Sequence, residues 1–281
     1  VMSACLSLER PLTVAFLGPL GTFSESAAVK HFGHAAQLQP QVSIDDVFRE
    51  VESRHADFAV VPIENSTEGA IGRTMDLLMA TPLQICGEVV LRIHQHLLSN
   101  SASLDQITKV YSHAQSLAQC YEWLNRMLPD AQRISVGSNA QAAQLAASEP
   151  GAAAIAGDAA ADRYALPKLA SNIEDEPNNT TRFVVLGRHA VGISGRDKTS
   201  LIMSTPNRTG SLCELLMPFS ELGVSMTRLE SRPARHTLWE YVFYVDIEGH
   251  RDDPEISAAL QKLEHRAAYL KVLGSYPVAV Y

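Results

Sequence analysis

The sequence predicts an α/β fold with a second, smaller domain, and three observations lead to this prediction. Short apolar runs alternate with segments of helical periodicity over the first two thirds of the chain. After about residue 198, the predicted order changes to strand, helix, two strands, helix, strand. The length of 281 residues allows two modest domains at about 100–200 residues each. We therefore expect a largely parallel α/β domain followed by a ferredoxin-like one.

The first domain opens with the apolar run Val14–Leu17, which predicts a buried strand. Thr22 and Glu25 form the T-x-x-E pattern of a capping box, so a helix should begin there. A weaker strand around Leu38–Val42 comes next, and Ser43 is expected to cap the helix that follows it.

The alternation then repeats along the chain. Phe58–Val61 predicts a buried strand that should break at Pro62 into a polar loop, and a helix follows to about residue 79. The remaining predicted elements are a strand at Val89–Leu98, a strand at Val110–Tyr111, a helix carrying Leu117 to Leu128, a strand at Ile134–Val136, a helix to Ala147, a strand at Ala152–Ala156, a helix after Asp158 and a strand at Phe183–Leu186. In such sheets ligands bind beyond the carboxyl ends of the strands, where the polar loops 18–24, 62–68 and 112–115 fall.

Composition excludes several classes of protein. The net charge of −8 argues against a surface that binds nucleic acid, because phosphate backbones attract clustered Lys and Arg. No apolar run reaches the roughly 18 residues that a membrane span requires. The four cysteines form no C-x-x-C pair, so neither a zinc site nor a disulfide framework is expected. Isolated thiols without a signal peptide predict a cytoplasmic protein.

Four polar loops are candidates for chemistry, and each has a purely structural alternative. Gly18–Ser24 precedes a helix, where backbone N–H groups favour anions, but an ordinary capped turn fits equally well. Pro62–Thr67 brings a carboxylate, an amide and hydroxyls to one strand end, or simply caps the next helix. Ser112–Gln115 follows a strand and contains a histidine that could be a base, although a lone loop histidine is more often only solvated. Gln119 lies one helical turn beyond Gln115, so both amides can point towards the same strand end. Asn178–Phe183 contains an arginine that could pair with a carboxylate or brace a strand edge.

These four loops, in this order, resemble the motifs of prephenate dehydratases. The family pattern looks like G-P-x-G-T-F-S, P-I-E-N-S, S-H-x-Q and T-R-F, present here at 18–24, 62–66, 112–115 and 181–183. Ala114 departs from it, since relatives often carry proline there. The resemblance implies a two-lobed periplasmic-binding-protein-like catalytic domain at 12–188, with lobe 1 at about 12–92 and 172–188 and lobe 2 at about 93–171.

The C-terminal part resembles an ACT domain, a regulatory module that binds amino acids. The resemblance implies a linker at 189–198, an ACT domain at 199–276, and a phenylalanine site at an interface between paired copies. Its expected members are Gly210, Ser211, Leu212, Glu230, Ser231, Arg232 and Pro233. Residues 1–11 look like the end of a chorismate mutase helix, as in bifunctional proteins of this kind, although a disordered tail is an alternative.

The resemblance implies decarboxylative dehydration of prephenate to phenylpyruvate, without a metal or organic cofactor. Thr181 would donate a proton to the leaving hydroxyl, and Asn65, Ser112 and Gln119 would complete the catalytic set. The implied substrate-binding residues are Thr22, Ser66, Gln115, Thr180, Arg182 and Phe183.

The implied partners are prephenate, L-phenylalanine as a feedback inhibitor, and further copies of the chain in a dimer or tetramer. Two alternatives stay open at this point. One is a dehydratase for arogenate, with Glu64 as a partner for the substrate amine. The other is a two-lobed protein that binds small anions without turning them over.

Overall fold

The computed structural model describes residues 11–206, 208–233 and 241–280. The chain divides into two compact units: unit 1 comprises residues 1–71 and 89–183, and unit 2 comprises 72–88 and 184–281. The predicted mutase helix falls almost entirely outside the described residues. The third strand of the second domain is predicted at Leu238–Ile247, and its start also falls outside them.

Strands and helices largely alternate up to residue 187, with a few consecutive strands and one broken helix. In chain order they are β1 (Thr13–Leu17), α1 (Phe23–Phe32), β2 (Gln37–Gln41), α2 (Ile44–Glu52), β3 (Phe58–Asn65), β4 (Gly69–Ala70), α3 (Gly72–Ala80), β5 (Gln84–Arg92), β6 (His96–Leu98), β7 (Lys109–His113), α4 (Ala114–Gln119), α5 (Tyr121–Met127), β8 (Gln132–Val136), α6 (Asn139–Ser148), β9 (Ala152–Ala156), α7 (Asp158–Tyr164), β10 (Lys168–Ala170) and β11 (Thr180–Gly187).

The first sheet has the strand order β2-β1-β3-β11-β5, with the short β4 beside β3. β1 is parallel to both of its neighbours, with Val14 opposite Leu38 on one side and Phe58 on the other. Val14, Ala15 and Phe16 are completely buried. A continuously apolar strand is what a parallel sheet covered on both faces requires.

The second sheet has the order β10-β6-β9-β7-β8, and it forms a second lobe within unit 1. β7 is parallel to β8 and β9, whereas β6 is antiparallel to β9. All five residues of β9 are buried, and Ala152, Ala154 and Ala156 pack in one cluster with alanines of α6 and α7. Small side chains on both surfaces bring these helices close to the sheet.

Two extended segments join the lobes of unit 1, at 93–95 and 171–179. They are tied to each other, since the Ile93 N–H donates to Asn179 O and the Ile173 N–H donates to Gln95 O, both at 2.8 Å. The chain therefore enters and leaves the second lobe at neighbouring points.

The C-terminal part of unit 2 has the predicted ferredoxin-like order. Its elements are β12 (Asp197–Ser204), α8 (Ser211–Glu221), β13 (Met226–Pro233), β14 (Tyr241–Glu248), α9 (Pro254–Arg266) and β15 (Tyr269–Pro277). They form a four-stranded sheet of order β13-β14-β12-β15. Both helices pack on one face, where Leu201 and Val245 of the sheet meet Leu215 and Leu263.

Helix α3 belongs to unit 2 and is held by the ferredoxin-like sheet. The Tyr244 hydroxyl donates to Met75 O at 2.7 Å. The Lys271 ammonium donates to the carbonyls of Leu78, Met79 and Thr81, at 2.9, 3.1 and 2.6 Å. A cation at this position satisfies carbonyls that have no partner within the helix and complements its dipole.

The fold class is confirmed, while four local expectations differ from the structure. β3 continues through Pro62 to Asn65, because Glu64 and Asn65 pair with β4 in a hairpin. The predicted strand Val89–Leu98 is two strands separated by the connecting segment. The helix predicted after Ser112 is broken at Cys120 into α4 and α5.

The fourth difference is the capping box. Thr22 is the N-cap of α1 but makes no side-chain cap bond, and its hydroxyl lies 3.0 Å from Pro19 O and 3.2 Å from Leu17 O. Glu25 instead accepts from the Gly21 N–H. The threonine therefore closes the preceding turn.

Candidate active site

A cleft of about 330 Å³ lies in unit 1, where loops from both lobes meet. It is bounded by the turn after β1, the ends of β3 and β7, the starts of α6 and α7, and the start of β11. Its polar lining comprises Thr22, Ser24, Asn65, Gln95, His113, Gln115, Ser116, Gln119, Ser138, Asn139, Asn179 and Thr181. The polar loops 18–24, 62–68 and 112–115 thus each contribute residues at one edge of the strands, as predicted.

The orientation of the Asn65 carboxamide is fixed by the backbone of its own hairpin. Its Oδ1 accepts from the N–H groups of Thr67 and Glu68, at 3.1 and 3.2 Å, and from the Thr67 hydroxyl at 2.6 Å. This is an Asx-type turn, in which the side-chain oxygen takes the place of a backbone acceptor. The Asn65 NH₂ group must therefore face the other way, towards β11.

The Thr181 hydroxyl receives a hydrogen bond from that NH₂ group at 2.9 Å. Because Oγ1 acts as an acceptor here, the hydroxyl proton is available for a separate bond. Among the described residues, no protein atom accepts that proton. A hydroxyl that accepts one hydrogen bond is polarised and becomes a better donor. Thr181, which lines the cleft, is therefore a candidate donor to a bound ligand.

Asn179 and Gln119 extend this arrangement along the cleft wall. Asn179 Oδ1 accepts from the Asn65 NH₂ at 2.8 Å, and the Asn179 NH₂ donates to Gln119 Oε1 at 3.0 Å. Gln119 then directs its own NH₂ at the Thr67 hydroxyl and the Glu68 carboxylate, each at 3.4 Å. Sequence reasoning missed Asn179, although it lies in the same polar loop as T-R-F.

A second group of polar side chains forms the wall contributed by the second lobe. The amide of Asn139 accepts from the His113 N–H at 3.1 Å and donates to Ser116 Oγ at 2.8 Å. Gln95 also donates to Ser116 Oγ, at 3.1 Å. These three side chains were not predicted, because none of them belongs to one of the four motifs.

Ser112 lies beneath the cleft and is fully buried. Its hydroxyl is 2.9 Å from Ile155 O and 3.0 Å from Asn139 Oδ1, so it supports the wall from behind. Its predicted catalytic role stays a prediction.

The other predicted substrate-binding residues fall into two groups. Thr22, Gln115 and Phe183 line the cleft. Ser66, Thr180 and Arg182 do not line it. Ser66 Oγ instead accepts from the Thr180 N–H at 2.9 Å, which ties the hairpin to β11.

Arg182 faces Glu64, with Nη1 3.9 Å from Oε2. In this position each side chain is partnered by the other, on neighbouring strands. This arrangement does not favour Glu64 as the partner of a substrate amine, which was the basis of the arogenate alternative.

Two helices of ten residues begin at the cleft, one from each lobe. Thr22 precedes α1, and Ser138 caps α6 by accepting from the Gln141 N–H at 3.1 Å. The first turn of a helix carries N–H groups without partners in the helix and the positive end of its dipole. The two ends make the cleft suited to a ligand with two negative groups.

A second cavity, of about 240 Å³, lies in unit 2 beside the start of α8. Gly210, Ser211 and Leu212 line it, as the predicted effector motif requires, together with Tyr241 and Phe243 of β14. The other predicted motif, Glu230–Pro233, lies on β13 at the edge of the sheet and does not line this cavity.

The described residues contain neither a metal-binding cluster nor a membrane-spanning helix. No group of three or more His, Cys, Asp or Glu is arranged to hold a metal ion. Within the same ranges, no helix is long and apolar enough to cross a membrane.

Comparisons with known proteins agree with this geometry. The family model described as prephenate dehydratase matches residues 14–191, and the ACT domain model matches 199–265. The chain is 59% identical to a bifunctional chorismate mutase/prephenate dehydratase of Neisseria gonorrhoeae, over 100% of this chain and 78% of that protein.

Two solved structures share the fold over most of their length. A prephenate dehydratase from Arthrobacter aurescens in complex with L-Phe has a TM-score of 0.87 and 34% identity, covering 95% of this chain and 90% of the other. GqqA, described as a novel type of quorum quenching acylase, has a TM-score of 0.85 and 26% identity, covering 95% and 98%.

The fold and the site define a two-lobed α/β enzyme with a polar cleft between its lobes, joined to a ferredoxin-like regulatory domain. The chain belongs to the prephenate dehydratase family, and its C-terminal module is an ACT domain. The alternative of a binding protein without catalytic activity is therefore set aside.

Proposed function

We propose that the cleft of unit 1 binds prephenate and that Thr181 donates the proton with which the ring hydroxyl leaves. The supporting observation is the Asn65–Thr181 hydrogen bond of 2.9 Å, whose direction follows from the hairpin backbone. Loss of carbon dioxide supplies the electron pair that expels the hydroxyl, and the ring becomes aromatic. The hydroxyl leaves as water once it takes the proton.

The two carboxylates of prephenate would be held at opposite walls of the cleft. The starts of α1 and α6 supply N–H groups and positive dipole ends from the two lobes. The NH₂ groups of Gln119 and Asn139 add uncharged donors along the walls. Since the described lining residues include no arginine or lysine, the departing carboxylate would not be stabilised by a full positive charge. That arrangement favours its loss as carbon dioxide.

Replacement of Thr181 tests this proposal. Thr181→Val removes the hydroxyl at nearly constant volume, so we expect kcat on prephenate to fall about 10²–10⁴-fold, the range for a general acid. Thr181→Ser keeps the hydroxyl and should retain most of the activity. Phenylpyruvate absorbance measures both rates, and circular dichroism checks that each variant is folded. A valine variant with the wild-type kcat would refute the assignment.

We further propose that L-phenylalanine binds in unit 2 and inhibits the enzyme. The cavity formed by Gly210–Leu212 supports this, as does the L-Phe complex of the Arthrobacter relative. Because Glu230–Pro233 lies on an edge strand outside that cavity, pairing with a second copy would be needed to bring it to the ligand. This favours a homo-oligomer.

A cytoplasmic location is also proposed. Cys86, Cys120 and Cys213 are free thiols, which is typical of proteins in a reducing compartment.

A further inference from the structure

We propose that Asn179 is a positioning residue that orients the Gln119 carboxamide, so that its NH₂ group is the end available to a substrate. The inference rests on the proposed function, because Gln119 is relevant only as a polar group of the substrate site. Asn179 is 1% exposed and lies between Asn65 and Gln119, hydrogen-bonded to both.

The orientation of Asn65 fixes that of Asn179, which in turn fixes that of Gln119. Two backbone N–H groups hold Asn65 Oδ1, so the Asn65 NH₂ faces Asn179 and requires an oxygen there. The Asn179 NH₂ consequently faces Gln119 and again requires an oxygen, at 3.0 Å. Gln95 adds a longer bond of 3.5 Å to the same Gln119 oxygen. An amide has one donor end and one acceptor end, so this order leaves Gln119 with its NH₂ group outward, away from Asn179.

The outward NH₂ group is the form that suits a doubly negative substrate. In the structure it makes two long bonds of 3.4 Å, to the Thr67 hydroxyl and the Glu68 carboxylate, which border a neighbouring cavity rather than the cleft itself. Such long contacts are weak and can be exchanged for a shorter, charge-assisted bond to a substrate carboxylate. An outward oxygen would repel the same carboxylate. The orientation of Gln119 therefore affects substrate binding more than the chemical step.

Asn179→Asp tests this inference, with Asn178→Asp as the matched control on the exposed neighbouring residue. The introduced carboxylate only accepts hydrogen bonds when it is ionised, so both Asn65 and Gln119 would turn their NH₂ groups towards it. We expect KM for prephenate to rise about tenfold or more at pH 8, with kcat changed much less. The N178D enzyme should keep the wild-type KM.

The pH dependence of KM distinguishes this role from a merely structural one. When the introduced carboxyl group is protonated, it accepts from Asn65 and donates to Gln119, as asparagine does. Burial raises the pKa of a carboxyl group, so the KM of N179D should return towards the wild-type value as the pH falls from about 8 to about 5. A KM for N179D that matches N178D throughout this range would overturn the inference.

A double-mutant cycle separates orientation from simple charge repulsion. If the N179D substitution acts through Gln119, the increase in KM that it causes should largely disappear in a Gln119→Ala background. An undiminished increase there would overturn the inference. If N179D does not fold, Asn179→Ala is measured in the same two backgrounds with the same expectation.

Failure of the inference is distinguishable from failure of the proposed function. If the Q119A enzyme has unchanged kcat and KM, Gln119 does not act on the substrate. If Q119A raises KM and the N179D effect adds to it, Gln119 acts on the substrate, but Asn179 does not act through Gln119.

Discussion

At the scale of single residues, the sequence identified the types of side chain at the site better than their arrangement. Asn65 and Thr181 were predicted and are hydrogen-bonded. Asn179 was not, because its importance depends on two partners 114 and 60 residues away along the chain. Nothing local in the sequence reports such a pairing. The other assigned roles, including that of Ser112, stay predictions.

His96 gives a prediction about pH and stability at the same scale. It is 3% exposed, its Nδ1 accepts from the Asn172 N–H at 3.2 Å, and its Nε2 is 3.2 Å from Asp158 Oδ1. Burial lowers the pKa of His96 below 6.5, despite the opposing effect of Asp158. The native histidine thus stays neutral where the unfolded one becomes protonated, and the free energy of unfolding should fall as the pH drops below 6.5.

His96→Asn should weaken this dependence, because asparagine keeps an acceptor for Asn172 but does not titrate. Urea unfolding between pH 7 and pH 5 should show a smaller loss of stability than in wild type. The difference is at most about 1.4 kcal/mol per pH unit for one proton. A variant of the exposed His34, His34→Asn, serves as the control. Parallel curves for H96N and wild type would contradict the prediction.

At the scale of elements, most strands and helices were predicted because their hydrophobic periodicity is local. The start of helix α9 is predictable from the sequence, since Pro254 stands at its first position. The break between β5 and β6 was missed because both halves are apolar. Which sheet each half joins is set by distant strands, as when His96 pairs with Ala156.

A contact between the starts of α1 and α7 gives a prediction at this scale. A Cβ atom on Gly157 would lie 2.6 Å from a ring atom of Phe23, so no side chain fits there without moving the ring. Both residues line the cleft. We expect Gly157→Ala to lower the free energy of unfolding by about 1–3 kcal/mol through overpacking, and to lower kcat/KM on prephenate.

Gly192→Ala is the matched control, since a Cβ atom there meets open space. Urea unfolding and steady-state kinetics measure the two effects. A G157A enzyme as stable and active as G192A would show that Phe23 relocates at no cost.

At the scale of the whole molecule, the sequence predicted both domain types but not how helix α3 would be held. Lys271 donates to three carbonyls at its end, and Tyr244 donates to a fourth, so α3 is fastened to the ACT sheet of unit 2. The same helix follows Ile71, which lines the substrate cleft of unit 1. Contacts this far apart along the chain leave no local pattern in the sequence.

Inhibition by phenylalanine is the prediction that belongs to this scale. Saturating L-phenylalanine should lower the rate on prephenate by about 5–150-fold, the range of a typical allosteric coupling. D-phenylalanine is the matched control and should have much less effect. Rates and light scattering, with and without the ligand, provide the measurement. If L-phenylalanine changes neither the rate nor the oligomeric state, the regulatory assignment is wrong.

The paired connecting segments at 93–95 and 171–179 have a consequence for synthesis on the ribosome. The second lobe is one continuous stretch, so it can fold as soon as it emerges. The first sheet has to wait for β11, whose strand lies between β3 and β5. Thr181 is at the start of that late strand. A nascent chain therefore acquires Thr181, the proposed proton donor, only after nearly all other parts of the cleft have been made.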